Sequence, residues 1–232
     1  MKILGIDTSS KFLNIALSED EDIIREESHL LDRRQASQLV PKVKELLKKS
    51  RTPIDKIDAF IIGLGPGSFT GLRIGVSTIK GFGIASGKPC IGVASIDSIA
   101  CNTKEKDKYI IPIIDAKRGQ VYTAIYRRKG SKVVRLSDYL LLPIEKFLKR
   151  VKDAPVFLGD GVSLYRNNIS GINKKAVFLE EKYWYPGAGN LIKLGFSKIK
   201  KAKKTNLDKL TPLYLYPEDC QIRLLKSDRK LL

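Results

Sequence analysis

Runs of aliphatic and β-branched residues alternate with turn-forming residues at the beginning of the chain. The runs at 2–7, 12–18 and 23–28 have the length of strands and predict a three-stranded meander. Between Arg34 and Ser50, apolar residues recur every three or four positions, which predicts an amphipathic helix. Pro41 lies inside this apolar stripe, so we expect it to kink the helix or to delay its start.

The pattern then changes between strand-like runs and helix-like spacing until it reaches a polar segment. It predicts strands at 59–63 and 89–93 and helices at 68–86 and 97–101. The polar segment at 102–108 has neither kind of pattern. We therefore predict two domains, at 1–103 and 104–232, that are joined in this segment.

The second half of the chain repeats the organisation of the first. Aligning Asp7 with Asp115 also aligns Ala16 with Ala124, so a strand ending in Asp, a tight turn and a second strand occur twice. Further runs predict strands at 132–139, 156–159 and 211–216. They predict helices at 143–151 and 186–204, and the second of these could pack back on the first domain. We predict a duplicated α/β fold, although two matched pairs can also arise by chance.

Composition limits the function classes. The 232 residues contain 43% hydrophobic residues, enough to bury a large core as one large domain or two small ones. The apolar run at the N-terminus is too short for a signal peptide, and no later run has membrane-spanning length, so we expect a cytoplasmic protein with no membrane partner. With His29 as its one histidine and three scattered cysteines, the sequence predicts no metal site and no catalytic residues.

The charge is strongly positive, at a formal +18 at pH 7. Such an excess attracts polyanions such as RNA, whereas heat adaptation would enrich Lys and Glu together. Lys193, Lys200 and Lys204 lie opposite the apolar side of the helix predicted at 186–204. They are candidates for contact with the phosphates of an RNA, and the alternative is an ordinary solvated helix face.

A glycine-rich segment at 63–75 opens the second predicted helix. No Lys follows its glycines, so it lacks the group with which a phosphate-binding loop reaches a nucleotide. Gly67, Gly71 and Gly75 are instead spaced four apart and form a flat row against which another helix could pack closely. That neighbour could belong to a partner or to the same chain.

The strand ending in Asp7 is followed by a turn that could face a nucleotide. In that interpretation the turn and its duplicate would bind phosphates across a cleft, and the candidate residues are Asp7, Thr8, Ser9, Asp115, Gly159 and Gly161. Thr8 and Ser9 stand where a phosphate site would need glycine, because glycine lets the backbone approach the phosphate. A structural role for the Asp7 turn is therefore the favoured alternative.

Three motifs together resemble the TsaB (YeaZ) family. They are the Gly-Pro-Gly-Ser-Phe-Thr-Gly-Leu-Arg segment at 65–73, the N-terminal segment at 2–8, and the segment Asp-Ala-Lys-Arg-Gly-Gln-Val-Tyr at 115–122. Their order and spacing agree with that family, and the resemblance extends to 212–215. It covers nearly the whole chain.

The resemblance implies an actin-like (ASKHA, ribonuclease H-like) fold of two related lobes. It implies a non-catalytic scaffold subunit that supports threonylcarbamoyl transfer to a tRNA adenosine by a TsaD-like paralogue, together with a TsaE-like ATPase, and that forms a homodimer when alone. No cofactor of its own is implied, although ATP or ADP could lie at a subunit interface. The first two helices of the first lobe would form the partner surface, for which we select Leu39, Val43, Leu46, Gly67, Phe69, Gly71, Leu72 and Gly75. The alternatives are an autonomous nucleotide-binding ATPase of the actin superfamily and a simple RNA-binding module.

Overall fold

The computed structural model describes residues 1–31, 35–106, 108–151, 154–202 and 206–215. The first lobe is built on a five-stranded sheet with the order β3-β2-β1-β4-β5. Its strands are β1 Lys2–Asp7, β2 Phe12–Glu19, β3 Asp22–Leu30, β4 Ala59–Gly63 and β5 Cys90–Val93. The predicted meander of β1, β2 and β3 is confirmed as antiparallel, and β4 and β5 continue the sheet in parallel.

Three helices complete the first lobe: α1 Gln35–Lys49, α2 Phe69–Ser86 and α3 Ser95–Cys101. Pro41 lies inside α1, so the helix starts before the proline, and a start delayed by the proline is not observed. Ser68 is the N-cap of α2, as predicted, and its hydroxyl accepts the backbone N–H of Gly71. The apolar sides of α1 and α2 cover one face of the sheet, where they share a core with β1, β2 and β4.

The second lobe repeats this arrangement. Its strands are β6 Tyr109–Asp115, β7 Gln120–Thr123, β8 Tyr126–Lys129, β9 Lys132–Arg135, β10 Leu140–Pro143, β11 Val156–Leu158 and β12 Val177–Phe178. The main path runs β10-β7-β6-β11-β12 and matches the first lobe strand for strand. Its helices are α4 Ile144–Leu148, α5 Val162–Ile172 and α6 Ala188–Lys201. The duplicated fold that the sequence predicts is therefore confirmed.

The second lobe differs from the prediction in several elements. The strand predicted at 132–139 is shorter, because β9 ends at Arg135, and the strands β10 and β12 were not predicted. Strands β8 and β9 form a hairpin that has no equivalent among the described residues of the first lobe. Helix α5 was not predicted. The late strand is absent at 211–215, where the backbone N–H of Leu213 bonds the carbonyl oxygen of Leu64; Tyr216 lies outside the described residues.

Helix α6 connects the two lobes, because it packs on the sheet of the first. Its apolar side, including Leu191, Ile192 and Ile199, is buried against the face of that sheet opposite α1 and α2. At its first turn, the backbone N–H of Gly189 donates to Glu26 of β3 at 3.0 Å. The first sheet is thereby covered on both faces, and each covering layer is apolar.

Candidate functional site

The turn after β1 is closed upon itself. Ser9 donates both its backbone N–H (2.8 Å) and its hydroxyl (2.6 Å) to one carboxylate oxygen of Asp7. The hydroxyl of Ser95 donates to the other oxygen at 2.6 Å and accepts the backbone N–H of Gly65 at 2.9 Å. Burial raises the pKa of Asp7 above its ordinary value, and the hydrogen bonds from Ser9 and Ser95 oppose that rise. The carboxyl group is fully buried and hydrogen-bonded within the lobe.

The glycine row lies directly on this turn. A Cβ atom at Gly71 would overlap the backbone oxygen of Thr8, one at Gly75 would overlap the Thr8 hydroxyl, and one at Gly67 would overlap the backbone oxygen of Ser9. The hydroxyl of Thr8 donates to the carbonyl oxygen of Gly71 at 2.7 Å. Side chains are excluded from the row because the turn occupies that space.

This arrangement corrects the predicted partner surface. Gly67, Gly71 and Gly75 pack within the lobe, so the interpretation that they receive a partner helix is wrong. The remaining apolar members of the set, apart from Phe69, are buried in the core of the lobe and are wrong as well: Leu39, Val43, Leu46 and Leu72. Of the selected residues other than the glycines, Phe69 alone lies at the surface, with 54% of its area exposed.

A cleft of about 380 Å³ lies between the lobes. The first lobe contributes residues 9–11 and 67–69, and the second contributes residues 114–117, Tyr122 and Asp160. It therefore stands where the two duplicated turns approach each other, which is the position predicted for a nucleotide cleft.

The Asp115 turn repeats the geometry of the Asp7 turn but remains at the surface of the cleft. Asp115 accepts the backbone N–H of Lys117 at 2.9 Å, as Asp7 accepts that of Ser9. The ammonium group of Lys117 lies 2.6 Å from the second carboxylate oxygen of Asp115, which raises the pKa of Lys117. The carboxylate of Asp160 accepts the backbone N–H of Asp115 at 3.0 Å, and burial raises the pKa of Asp160.

The predicted nucleotide residues are therefore only partly brought together. Ser9 and Asp115 line the cleft, whereas Asp7 and Thr8 are buried behind the turn and do not line it. Gly159 and Gly161 do not line it either, because both lie against the backbone of Ile113 in β6. Sequence reasoning missed Asp160, Lys117, Ser10, Lys11 and Tyr122.

The predicted lysine stripe follows the solvent side of α6. Lys193 and Lys200 are exposed, and the ammonium group of Lys200 lies 4.5 Å from the centre of the Phe196 ring. Lys204 lies outside the described residues. The stripe remains a prediction as an RNA contact.

Comparison with known proteins gives the family. A family model described as "TsaD: tRNA N6-adenosine threonylcarbamoyltransferase" matches residues 29–220. The Bacillus subtilis protein named "tRNA threonylcarbamoyladenosine biosynthesis protein TsaB" is 32% identical over 99% of this chain and 100% of its own length. This chain belongs to the TsaB family. The Escherichia coli TsaB protein is similar to it at 26% identity, over 93% of this chain and 94% of the relative.

Solved structures agree with the TsaB family in fold. The structure described as "YeaZ from Pseudomonas aeruginosa" matches with a TM-score of 0.76 and 24% identity, covering 92% of this chain and 99% of that one. A more distant match is component A of the (R)-2-hydroxyglutaryl-CoA dehydratase of Acidaminococcus fermentans, with a TM-score of 0.52 and 10% identity over 86% of this chain and 99% of that one. The predicted actin-like, two-lobed α/β fold and the predicted family are both confirmed.

Two further observations concern metals and membranes. Within the described residues, His, Cys, Asp and Glu side chains form no group of three that could hold a metal ion, and His29 instead contacts Glu27 at 3.2 Å. None of the helices in the described part of the chain has the length and apolar character that a bilayer crossing requires.

Proposed function

We propose that this chain is a non-catalytic scaffold subunit in the formation of threonylcarbamoyladenosine in tRNA, and that it supports transfer by a TsaD-like paralogue. The names of its relatives place those proteins in this biosynthesis. The complex would also contain a TsaE-like ATPase and the tRNA. In the absence of the paralogue, two copies of this chain would pair through the surface that otherwise binds the paralogue.

The closed Asp7 turn carries the proposal. An actin-fold enzyme that acts on a nucleotide needs its first turn open to phosphate, so that backbone N–H groups and a carboxylate can reach the ligand or its metal ion. Here the carboxylate of Asp7 is fully buried by Ser9, Ser95 and the glycine row. This chain would hold no cofactor of its own, and ATP or ADP would be bound only jointly with the paralogue.

The side chains also do not fit the metal that the resemblance assigns to the TsaD paralogue. That metal is held through a pair of histidines, and His29 is the one histidine in this sequence. The catalytic step therefore belongs to the partner in this proposal. The contribution of this chain would be to bind the partner and to stabilise it in an active form.

The exposed side chains of α1 and α2 provide the partner surface. Phe69 is 54% exposed at the start of α2, and Ile84 is 76% exposed near its end. The guanidinium carbon of Arg73 lies 3.9 Å from the centre of the Phe69 ring. The ring of Tyr214 lies beside that of Phe69, with the two ring centres 5.9 Å apart. Aromatic and Arg side chains dominate the binding energy of protein interfaces, so we expect the surface around Phe69 to be its centre.

Replacing Phe69 with alanine should weaken pairing with the TsaD-like paralogue about 30-fold or more, since truncating an interface hot spot costs about 2 kcal/mol or more. The free energy of unfolding of this variant should change little, because the Phe69 side chain is more than half exposed. Co-purification and titration of the two proteins measure the effect. Leu164→Ala is the matched control, because Leu164 is 59% exposed on the second lobe. Equal pairing by the two variants would contradict the assigned surface.

A further inference from the structure

The sequence of the second lobe contains a long segment without acidic residues. Between Asp115 and Asp138 no carboxylate side chain occurs, while seven cationic side chains do: Lys117, Arg118, Arg127, Arg128, Lys129, Lys132 and Arg135. The last five belong to the β8–β9 hairpin, the element that the first lobe lacks. Duplication of the lobe therefore does not account for this charge.

The hairpin separates its cations onto two faces. Strand pairing places Arg127 opposite Val134 and Lys129 opposite Lys132, so these four side chains share one face. All four are exposed, and we call this surface the outer hairpin face. The other face carries Tyr126, Arg128, Val133 and Arg135. Tyr126 is buried there, and its hydroxyl donates to Asp97 at 2.7 Å, whereas Arg135 is exposed.

The cations of the outer hairpin face are not neutralised by neighbouring carboxylates. Among the described residues, neither Arg127, Lys129 nor Lys132 forms an ion pair, whereas Lys49 on α1 lies within 3.3 Å of both Glu27 and Glu45. The guanidinium carbon of Arg127 lies 5.8 Å from the centre of the Tyr109 ring. Their positive charges are therefore available to an external anion.

The turn of the hairpin brings two like charges together. Lys129 and Lys132 are directly opposite each other on either side of Gly130 and Ser131. Like charges in directly opposed positions destabilise a strand pair. An anion bound between them would remove this repulsion, so the unfavourable pair has a physical reason if the surface is occupied.

We propose that the outer hairpin face contacts the phosphate backbone of tRNA. The inference rests on the proposed function for the identity of the anion. RNA is favoured over an anionic membrane because Val134 is the one apolar side chain on this face, and a membrane-binding surface needs a larger apolar component. Cations that are exposed and unpaired suit phosphate contacts, which position a nucleic acid without reading its sequence.

The test is a triple variant, Arg127→Gln, Lys129→Gln and Lys132→Gln, in the full chain. Binding of unmodified tRNA is measured by fluorescence anisotropy at salt concentrations between about 50 and 200 mM. Removal of one cation that binds a phosphate should lower the slope of log affinity against log salt by about one unit, so we expect a decrease of about two to three units for this variant. The charge-preserving variant Lys129→Arg, Lys132→Arg should keep the slope of the original chain.

The control variant removes three exposed cations elsewhere on the second lobe: Lys149→Gln, Lys174→Gln and Lys175→Gln. Equal slopes for the two triple variants would overturn the proposal, because net charge alone would then explain binding. So would binding of phosphatidylserine vesicles by a chain that does not bind tRNA. Pairing with the TsaD-like paralogue is scored separately, so failure of the original chain to pair would contradict the proposed function and leave the tRNA slope interpretable.

Discussion

Gly71→Ala is expected to destabilise the protein by about 1–3 kcal/mol, the range for overpacking a closely packed interior. The new Cβ atom would overlap the backbone oxygen of Thr8, which cannot move without breaking the turn that holds Asp7. Alanine normally favours a helix over glycine, by about 1 kcal/mol, so the expected sign is opposite to the intrinsic preference. Thermal and urea unfolding measure the difference.

Gly81→Ala in the same helix is the matched control. Apart from its chain neighbours and the backbone of its own helix, no described atom lies within 4 Å of the position that its Cβ would take, and the residue is exposed. This variant should gain about 0.5–1 kcal/mol from helix propensity alone. If Gly71→Ala were as stable as Gly81→Ala, the glycine row would not be packed on the turn, and its interpretation as a free surface for a partner would return.

Asp7→Ala is expected to cost about 2–5 kcal/mol of the free energy of unfolding, since it leaves a cavity and removes the acceptor for three buried donors. Those donors are the backbone N–H and the hydroxyl of Ser9 and the hydroxyl of Ser95. Asp7→Asn should cost less, because its amide keeps the volume and one oxygen can still accept from Ser9. Urea unfolding of the three proteins gives the values.

The two Asp7 variants also separate a structural role from a nucleotide-binding one. If Asp7 served a nucleotide, Asn and Ala would both remove ATP affinity while leaving stability close to that of the original chain. In our account the order of stability is Asp, Asn, Ala. A stable Asp7→Ala protein would contradict the closed turn.

The elements that the sequence predicts correctly are those whose pattern is local. Alternating apolar runs give β1 to β3, and Ser68 before an apolar stripe gives the start of α2. Helix α5 has a weaker signal: Val162, Tyr165, Ile169 and Ile172 stand at helical spacing, but polar residues separate them and only Val162 and Ile169 are buried. The β8–β9 hairpin is short and basic, so it does not resemble a buried strand pair.

The site was harder to predict because spacing does not identify the neighbour. A row of glycines indicates that another part of the protein packs closely against the helix, without showing which part. Here the neighbour is the Thr8 backbone, 63 residues earlier in sequence than Gly71. The strongest apolar stripe of α1 marks its buried side, so Leu39 and Val43 belong to the core and not to an interface. Asp160 lies between two glycines and therefore resembled an ordinary turn, although it faces the cleft.

The most direct test of the scaffold role is reconstitution of threonylcarbamoyl transfer from purified components. The chain alone, given tRNA, threonine, bicarbonate and ATP, should form no modified adenosine, and addition of the TsaD-like paralogue, the TsaE-like ATPase and the enzyme that supplies threonylcarbamoyl-adenylate should restore the reaction. Omission of this chain from the complete mixture should abolish multiple turnovers. Modified adenosine formed by this chain without the paralogue, or equal turnover with and without it, would contradict the account.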